Sequence, residues 1–119
     1  MISIVDDDEA VRNATKALIR SLGYRVETFA SAEAFLKSDR LRETACLISD
    51  VQMPGLNGIE LQARLKADGH RIPIIFVTAF PDEHVRDRAM QSGAVSFMSK
   101  PFSEANLIVC LDRALQKVD

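Results

Sequence analysis

Short apolar runs and amphipathic stretches alternate along the whole chain. A short apolar run bounded by turn signals is typical of a buried strand, whereas apolar residues three or four positions apart indicate a helix. By this pattern, the predicted strands cover residues 2–5, 25–29, 46–49, 72–77 and 94–98. The predicted helices cover residues 10–22, 31–37, 58–67, 82–91 and 103–118.

Turn and capping residues support these boundaries. Gly23 follows the first predicted helix and stops it. Ser31 is a favourable N-cap for the second helix, and Pro73 stands at the start of the fourth strand, where proline is tolerated. The last predicted helix has the longest apolar face, made of Leu107, Ile108, Leu111, Leu115 and Val118.

Five strand–helix units in succession predict an α/β domain. Nearly continuous apolar strands joined by helices form a parallel sheet that is covered on both faces, and each crossover is expected to be right-handed. The length of 119 residues suits one compact domain, residues 1–119, with no linker or low-complexity tract.

Composition narrows the class of protein. Hydrophobic residues make up 47% and charged residues 27%, and the net charge is −2 without any basic block, which argues against direct nucleic-acid binding by this chain. No apolar run approaches the roughly 20 residues of a membrane helix, and the first residues lack the order of a signal peptide. Cys46 and Cys110 lie in apolar runs without CxxC spacing, so we expect reduced core thiols in a cytoplasmic protein.

Polar side chains follow the strands that are expected to lie at the centre of the sheet. Asp6 and Asp7 follow the first strand, Asp50 the third, Thr78 the fourth and Lys100 the fifth. Ligands of open α/β sheets bind outside the carboxyl ends of the strands. If these four strands are neighbours, three acids, a hydroxyl and an amine converge on one edge of the sheet.

Clustered carboxylates repel one another, by about 4 kcal/mol at about 4 Å for an effective dielectric constant of about 20. Such a cluster either holds a proton or binds a cation, and oxygen-only ligands favour a hard ion, Mg²⁺, Mn²⁺ or Ca²⁺. A carboxylate nucleophile, a divalent ion, a lysine and a hydroxyl are together suited to phosphoryl transfer through an aspartyl phosphate.

Each residue also has a simpler interpretation. Asp8 and Glu9 suit the N-terminus of a helix, where the dipole favours acids. Asp50 alone would cap a turn, Thr78 alone would be a β-branched strand residue, and Lys100 alone a solvated lysine. Only their joint placement at four strand ends favours a phosphoryl-transfer site.

The motifs that carry these residues resemble the receiver domain of bacterial two-component response regulators over essentially the whole chain. They are IVDDD at the first strand end, LISDVQMPGLNGIEL in the middle, IIFVTAF at the fourth strand and FMSKPF at the fifth. The stretches SAEAFL and GAVSFMSKPF are most similar to regulators with a C-terminal helix-turn-helix output domain, which these 119 residues do not contain.

The resemblance implies a flavodoxin-like (βα)5 fold with strand order 2-1-3-4-5. It implies a signalling domain rather than an enzyme, one that assists its own phosphorylation and dephosphorylation. The expected partner is a sensor histidine kinase. Phosphorylation is expected to switch the face formed by the fourth helix, fifth strand and fifth helix, to promote a homodimer, and to control transcription through a DNA-binding output domain.

The resemblance also assigns a role to each site residue. Asp50 accepts the phosphoryl group from a phosphohistidine. Asp7 and Asp50 bind Mg²⁺ directly with the backbone carbonyl of Gln52, and Asp6 acts largely through a bound water. The phosphoryl oxygens contact two side chains, Thr78 and Lys100.

Further positions follow from the same resemblance. Ala79 leaves room for the phosphoryl group, the bond between Lys100 and Pro101 is expected to be cis, and Phe97 occupies the aromatic switch position. Phe80 followed by Pro81 departs from the commonest pattern and bears on the phosphoryl lifetime and on the mobility of the next helix.

Two other classes of protein compete with the receiver. A small Mg²⁺-dependent phosphatase of the haloacid dehalogenase type also uses an aspartyl nucleophile, but it needs a second acid two residues later, where this chain has Gln52. A nucleotide or flavin binder needs a glycine-rich loop after the first strand. The acidic loop of residues 6–9 would instead repel a pyrophosphate.

Overall fold

A computed structural model describes residues 1–116 of the chain. The strands are β1 (Ile2–Val5), β2 (Val26–Phe29), β3 (Cys46–Asp50), β4 (Ile74–Thr78) and β5 (Ser96–Ser99). The α-helices are α1 (Glu9–Ser21), α2 (Ala32–Leu36), α3 (Gly58–Ala67), α4 (Glu83–Gln91) and α5 (Glu104–Leu115), and a short 3-10 helix covers Asp39–Glu43.

All five strands pair in parallel in the order β2-β1-β3-β4-β5. This is the flavodoxin-like topology that the resemblance implied, and the prediction is confirmed. The order places β1 beside β3, so the chain reverses its direction of winding between them. A crevice opens at such a point, at the carboxyl ends of the strands.

The sheet has an apolar core on each face. One core contains Phe35, Leu61 and Phe76 among its fully buried residues and receives side chains from α2, α3 and α4. The other contains Ile19 and Leu107 and receives side chains from α1 and α5. Burial on both sides explains why the central strands are nearly continuous apolar runs.

Three helices, α2, α4 and α5, begin one residue later than predicted because the capping residue lies outside the helix. Asp8 caps α1 by accepting a hydrogen bond from the amide of Val11, and Ser31 caps α2 as predicted. Asp82, predicted as the first residue of the fourth helix, is instead its N-cap. The 3-10 helix of Asp39–Glu43 was not predicted, since its five residues are too few to show a helical period.

The starts of β4 and β5 differ from the predicted ones because of backbone hydrogen bonding. β4 begins at Ile74 rather than at residue 72, because Pro73 has no amide hydrogen for the ladder. The fifth strand was predicted from residue 94, but the amide of Ala94 donates to the carbonyl of Ala89 at the end of α4. The strand therefore begins only at Ser96.

The remaining predictions on the fold concern the last helix and the cysteines. α5 begins after its N-cap Ser103 and ends at Leu115, whereas the predicted helix extended to Val118, which lies outside the described residues. Cys46 and Cys110 are buried free thiols, as expected. Among the helices within residues 1–116, none has the length and apolar character needed to cross a membrane.

Candidate functional site

The register of the sheet brings the predicted polar residues to one edge. Val5 pairs with Ser49, Asp50 with Val77 and Thr78 with Ser99. The four strands thus end almost level, and the residues at or just after their ends meet in the crevice between β1 and β3. Asp50 and Thr78 are the last residues of their strands rather than the first residues after them.

Three carboxylates form a compact cluster in this crevice. Asp6, Asp7 and Asp50 each offer one oxygen, and the three oxygens lie within 4.8 Å of one another. Asp6 and Asp50 are buried, whereas Asp7 is exposed. The structure therefore brings together the three acids that the sequence placed at the ends of the first and third strands.

Lys100 supplies positive charge to the two buried acids. Its Nζ lies 2.9 Å from Asp6 Oδ2 and 3.1 Å from Asp50 Oδ2. Burial lowers the pKa of Lys100, but hydrogen bonds to the two carboxylates outweigh this effect, so the pKa lies above its ordinary value. The ammonium is therefore fully charged at neutral pH and partly compensates the cluster.

Asp50 is held by contacts to both carboxylate oxygens. Oδ1 accepts a hydrogen bond from the amide of Gln52 at 3.2 Å, and Oδ2 accepts one from Lys100. Burial raises the pKa of Asp50 above its ordinary value, and the hydrogen bond from Lys100 opposes this shift. The ionised form of a desolvated carboxylate beside another acid is stabilised by any further cation that binds there.

Helix α3 closes against the backbone of Asp50. A Cβ on Gly58 would lie 2.3 Å from the carbonyl oxygen of Asp50 and 3.0 Å from the Cα of Val51. The amide of Gly58 also donates to the carbonyl of Val51 at 2.8 Å. Gly58 is thus the residue that lets the first turn of α3 approach the end of β3.

Asp6 is positioned by its own turn and by an arginine. Its Oδ1 accepts a hydrogen bond from the amide of Asp8 at 2.9 Å. Its backbone carbonyl accepts one from Arg12 Nη1 at 2.7 Å. The sequence interpretation missed Arg12, although helical side chains point toward the N-terminus and one turn into α1 is the place from which a long side chain reaches back to β1.

Thr78 and Gln52 also lie at the carboxyl edge of the sheet. The hydrogen bonds that they make in the structure are not the predicted contacts, which involve a phosphoryl group and a metal ion. Thr78 is buried, and its hydroxyl accepts a hydrogen bond from the amide of Phe80 at 3.1 Å. Gln52 is exposed and contributes its amide to Asp50. Their roles toward a phosphoryl group and a metal ion stay predictions. The Lys100–Pro101 bond is cis.

The cluster fits a hard divalent cation. Its donors are carboxylate oxygens alone, three acids outnumber one lysine, and Asp7 leaves the cluster open to solvent. Mg²⁺ is usually bound by one or two carboxylates with several waters and phosphate oxygens. A carboxylate nucleophile beside a cation and a lysine is suited to phosphoryl transfer.

Comparison with known proteins places the chain in a sequence and structural family. The family model described as the response regulator receiver domain matches residues 2–112. The response regulator protein TmoT of Ectopseudomonas mendocina is 42% identical over 116 residues, or 98% of this chain. The transcriptional regulatory protein FixJ of Bradyrhizobium diazoefficiens is 38% identical over 118 residues, or 99% of this chain.

A solved structure gives the same result. The crystal structure of FixJ-N matches with a TM-score of 0.87 at 33% identity and covers 99% of this chain and 94% of that chain. The chain spans about half the length of the curated relatives it matches, 53% of TmoT and 58% of FixJ.

Proposed function

The chain belongs to the response regulator receiver domain family, and from this membership we propose that Asp50 accepts a phosphoryl group from a sensor histidine kinase. The observation that carries the proposal is the position of Asp50, which is bonded to Lys100 and clustered with Asp6 and Asp7. The negative charge of a buried carboxylate among acids is compensated when a cation binds beside it.

The transfer is a displacement at phosphorus. A carboxylate oxygen of Asp50 attacks the phosphoryl group of a phosphohistidine, an O–P bond forms, and the N–P bond breaks. The electron pair of the N–P bond returns to the imidazole nitrogen, and the ring leaves as a neutral histidine side chain when its other nitrogen is already protonated; otherwise it takes a proton from water as it leaves. Hydrolysis of the aspartyl phosphate later returns Asp50 and inorganic phosphate.

The surrounding residues neutralise the charge on the phosphoryl group. Lys100 already lies within hydrogen-bond distance of Asp50 and would contact a phosphoryl oxygen. The Thr78 hydroxyl would donate a hydrogen bond to another phosphoryl oxygen. The small, exposed residue Ala79 leaves space for the phosphoryl group.

The same proposal assigns the metal site. Asp7, Asp50 and the Gln52 carbonyl would hold Mg²⁺ directly, and Asp6 would act largely through water. When bound, Mg²⁺ offsets the negative charge of the acids and of the transferred group.

The proposed output is a change of partner rather than turnover of a substrate. We assign residues 1–119 to one receiver domain that works in the cytoplasm and controls transcription through a DNA-binding output domain, in keeping with the name and greater length of FixJ. This chain itself would not bind nucleic acid. Phosphorylation would alter the face of α4, β5 and α5 and produce a homodimer.

Intact mass measurement after incubation with acetyl phosphate and Mg²⁺ tests the phosphorylation site. We expect the wild type to gain one phosphoryl group and Asp50→Asn to gain none. Asp87→Asn, a change at an exposed aspartate of α4 outside the cluster, is the matched control and should label like the wild type. Equal labelling of the wild type and Asp50→Asn would refute the assignment.

A further inference from the structure

A carboxylate of α2 is bonded to the loop that follows Asp50. Glu33 Oε2 accepts a hydrogen bond from the backbone amide of Leu56 at 2.9 Å, across 23 residues of sequence. Leu56 belongs to the loop of residues 51–57, which connects β3 to α3. Within residues 1–116, Glu33 is the one side chain outside that loop and its flanking elements that hydrogen-bonds to its backbone.

Gly55 makes this contact possible. Its φ of +76° lies in the left-handed region that glycine adopts without strain. A Cβ at this position would also lie 2.5 Å from Glu33 Oε2, so the carboxylate occupies the space of a missing side chain. The turn is therefore built to admit the carboxylate of Glu33 against the Leu56 amide.

The loop is also held by core packing and by other hydrogen bonds to its backbone. Met53 is buried in the core on the α2–α3 face of the sheet, and the amide of Gln52 is bonded to Asp50. Gln52 itself is exposed, so its backbone depends on these neighbouring attachments for its position. The Glu33–Leu56 bond is the attachment on the side away from Asp50.

We propose that Glu33 is a positioning residue, which holds the loop so that the backbone carbonyl of Gln52 is presented to a cation bound by Asp50 and Asp7. This inference rests on the proposed function, because it assumes the metal site. Glu33 does not touch the ion; it acts through Leu56 and the turn at Gly55.

The charge of Glu33 strengthens the contact. The hydrogen bond from the Leu56 amide is the main cause that lowers the pKa of Glu33, and a bond from its own amide adds to it. The carboxylate is therefore ionised at neutral pH, and hydrogen bonds to ionised acceptors are stronger than neutral ones.

Mg²⁺ binding by Glu33 variants tests the proposal. Calorimetric titration of the whole chain should show that Glu33→Ala binds Mg²⁺ about 3- to 10-fold more weakly, less than the roughly 10- to 100-fold loss typical of partners that contact a ligand directly. Glu33→Gln keeps an acceptor oxygen and should recover most of the affinity. Glu43→Ala, an exposed glutamate of the 3-10 helix at the opposite end of β3 from Asp50, is the matched control and should bind as the wild type does.

Two further measurements separate positioning from a general loss of stability. Hydrogen exchange of the Leu56 amide should become faster in Glu33→Ala than in the wild type. Melting temperatures with a chelator present should change little, whereas the increase caused by Mg²⁺ should shrink. An equal decrease in melting temperature with and without Mg²⁺, or unchanged Mg²⁺ affinity in Glu33→Ala, would overturn the positioning role. If the wild type binds no Mg²⁺, the proposed metal site itself fails, and Glu33 has no cation to serve.

Discussion

Lys100 Nζ lies 3.1 Å from Asp50 Oδ2, although the two residues are 50 positions apart in the sequence. The same ammonium lies 2.9 Å from Asp6 Oδ2. One cation thus serves two buried carboxylates. A divalent ion bound to the cluster would lie close to the positive charge of Lys100. The lysine and the ion would therefore repel each other and compete for the same carboxylates.

Lys100→Ala should therefore separate metal binding from phosphoryl transfer. Removal of the ammonium takes away a repulsive neighbour of the ion, so we expect Mg²⁺ affinity to be unchanged or to increase by about 2- to 10-fold. The rate of phosphorylation by acetyl phosphate should decrease by about 100-fold, as when one charged donor is removed from a transition state.

The matched control is Lys66→Ala, which removes an exposed lysine of α3 away from the site. It should change neither quantity. Markedly weaker Mg²⁺ binding in Lys100→Ala would mean that the lysine organises the carboxylates for the ion instead of competing with it.

Mg²⁺ should stabilise the folded chain, because the carboxylate cluster exists only in the native state. At 100 times the dissociation constant the gain is about 2.7 kcal/mol, which corresponds to an increase of about 4–8 °C in melting temperature for a domain near 100 residues. Asp7→Ala should remove most of this increase. A calorimetric melting curve with and without Mg²⁺ measures it, and an undiminished increase in Asp7→Ala would contradict the assignment of Asp7 as a ligand.

The fold was predictable from sequence because its signals are local. Apolar runs and three-to-four spacing gave the type of every strand and α-helix, and polar residues at the strand ends predicted that Asp6, Asp7, Asp50 and Lys100 meet if their strands adjoin. Neither pattern gave the strand order by itself. That order came from the resemblance.

Contacts of individual helical side chains with the backbone of other segments were not predictable in the same way. The bond from Leu56 to Glu33 joins residues that no periodicity relates, and Arg12 was an ordinary polar residue of an amphipathic helix until the structure placed it against the Asp6 carbonyl. Thr78 was expected as a donor to a phosphoryl group, and the structure adds that its hydroxyl accepts from the Phe80 amide, which no pattern in the sequence indicated.

Gly58→Ala should destabilise the chain, although alanine is the better helix former. In a helix this change normally gains up to about 1 kcal/mol. Here the added Cβ would lie 2.3 Å from the Asp50 carbonyl oxygen, and the obstructing atom is backbone. We expect a net loss of about 1–3 kcal/mol in the free energy of unfolding, measured by urea denaturation, with weaker Mg²⁺ binding. Equal or greater stability would show that α3 can move away from β3 at no cost.

The proposed switch involves the hydrogen bond from the Phe80 amide to the Thr78 hydroxyl. The Thr78 oxygen accepts from the Phe80 amide and keeps its own proton free to donate to a phosphoryl oxygen, and a movement of Thr78 toward that oxygen would pull on the start of the loop to α4. Phe80 lies at the start of the loop to α4 and its side chain is 69% exposed, so little packing holds that loop in place.

We expect α4 to be the helix most easily displaced. Ala89 is its one buried residue, and its N-terminal half is largely exposed. Beside it, Phe97 of β5 is half-buried with its ring centroid 6.3 Å from that of Phe76. Space vacated behind Thr78 would let the Phe97 ring move inward, and α4 would follow.

The face of α4, β5 and α5 also has apolar side chains available for a partner. Met90 on α4 is 36% exposed and Val109 on α5 is 55% exposed, and half-buried Phe97 lies on the strand between the two helices. A two-fold contact uses the same patch on both copies. Inward movement of Phe97 would change the shape of this patch, and this would couple phosphorylation of Asp50 to dimer formation.

Phosphorylation should therefore tighten dimerisation about 5- to 150-fold, the range that corresponds to the usual coupling of about 1–3 kcal/mol between two sites. Sedimentation with and without beryllofluoride and Mg²⁺ measures the dimer dissociation constant in both states.

Val109→Asp should abolish the dimer while Asp50 still takes up a phosphoryl group, because the new charge lies on the contact face and away from the acids. Thr78→Ala and Phe97→Ala should remain monomeric with the mimic bound. A monomeric wild type in both states at micromolar concentration refutes the dimer, whereas a dimer retained in both of those variants refutes only the route through Thr78 and Phe97.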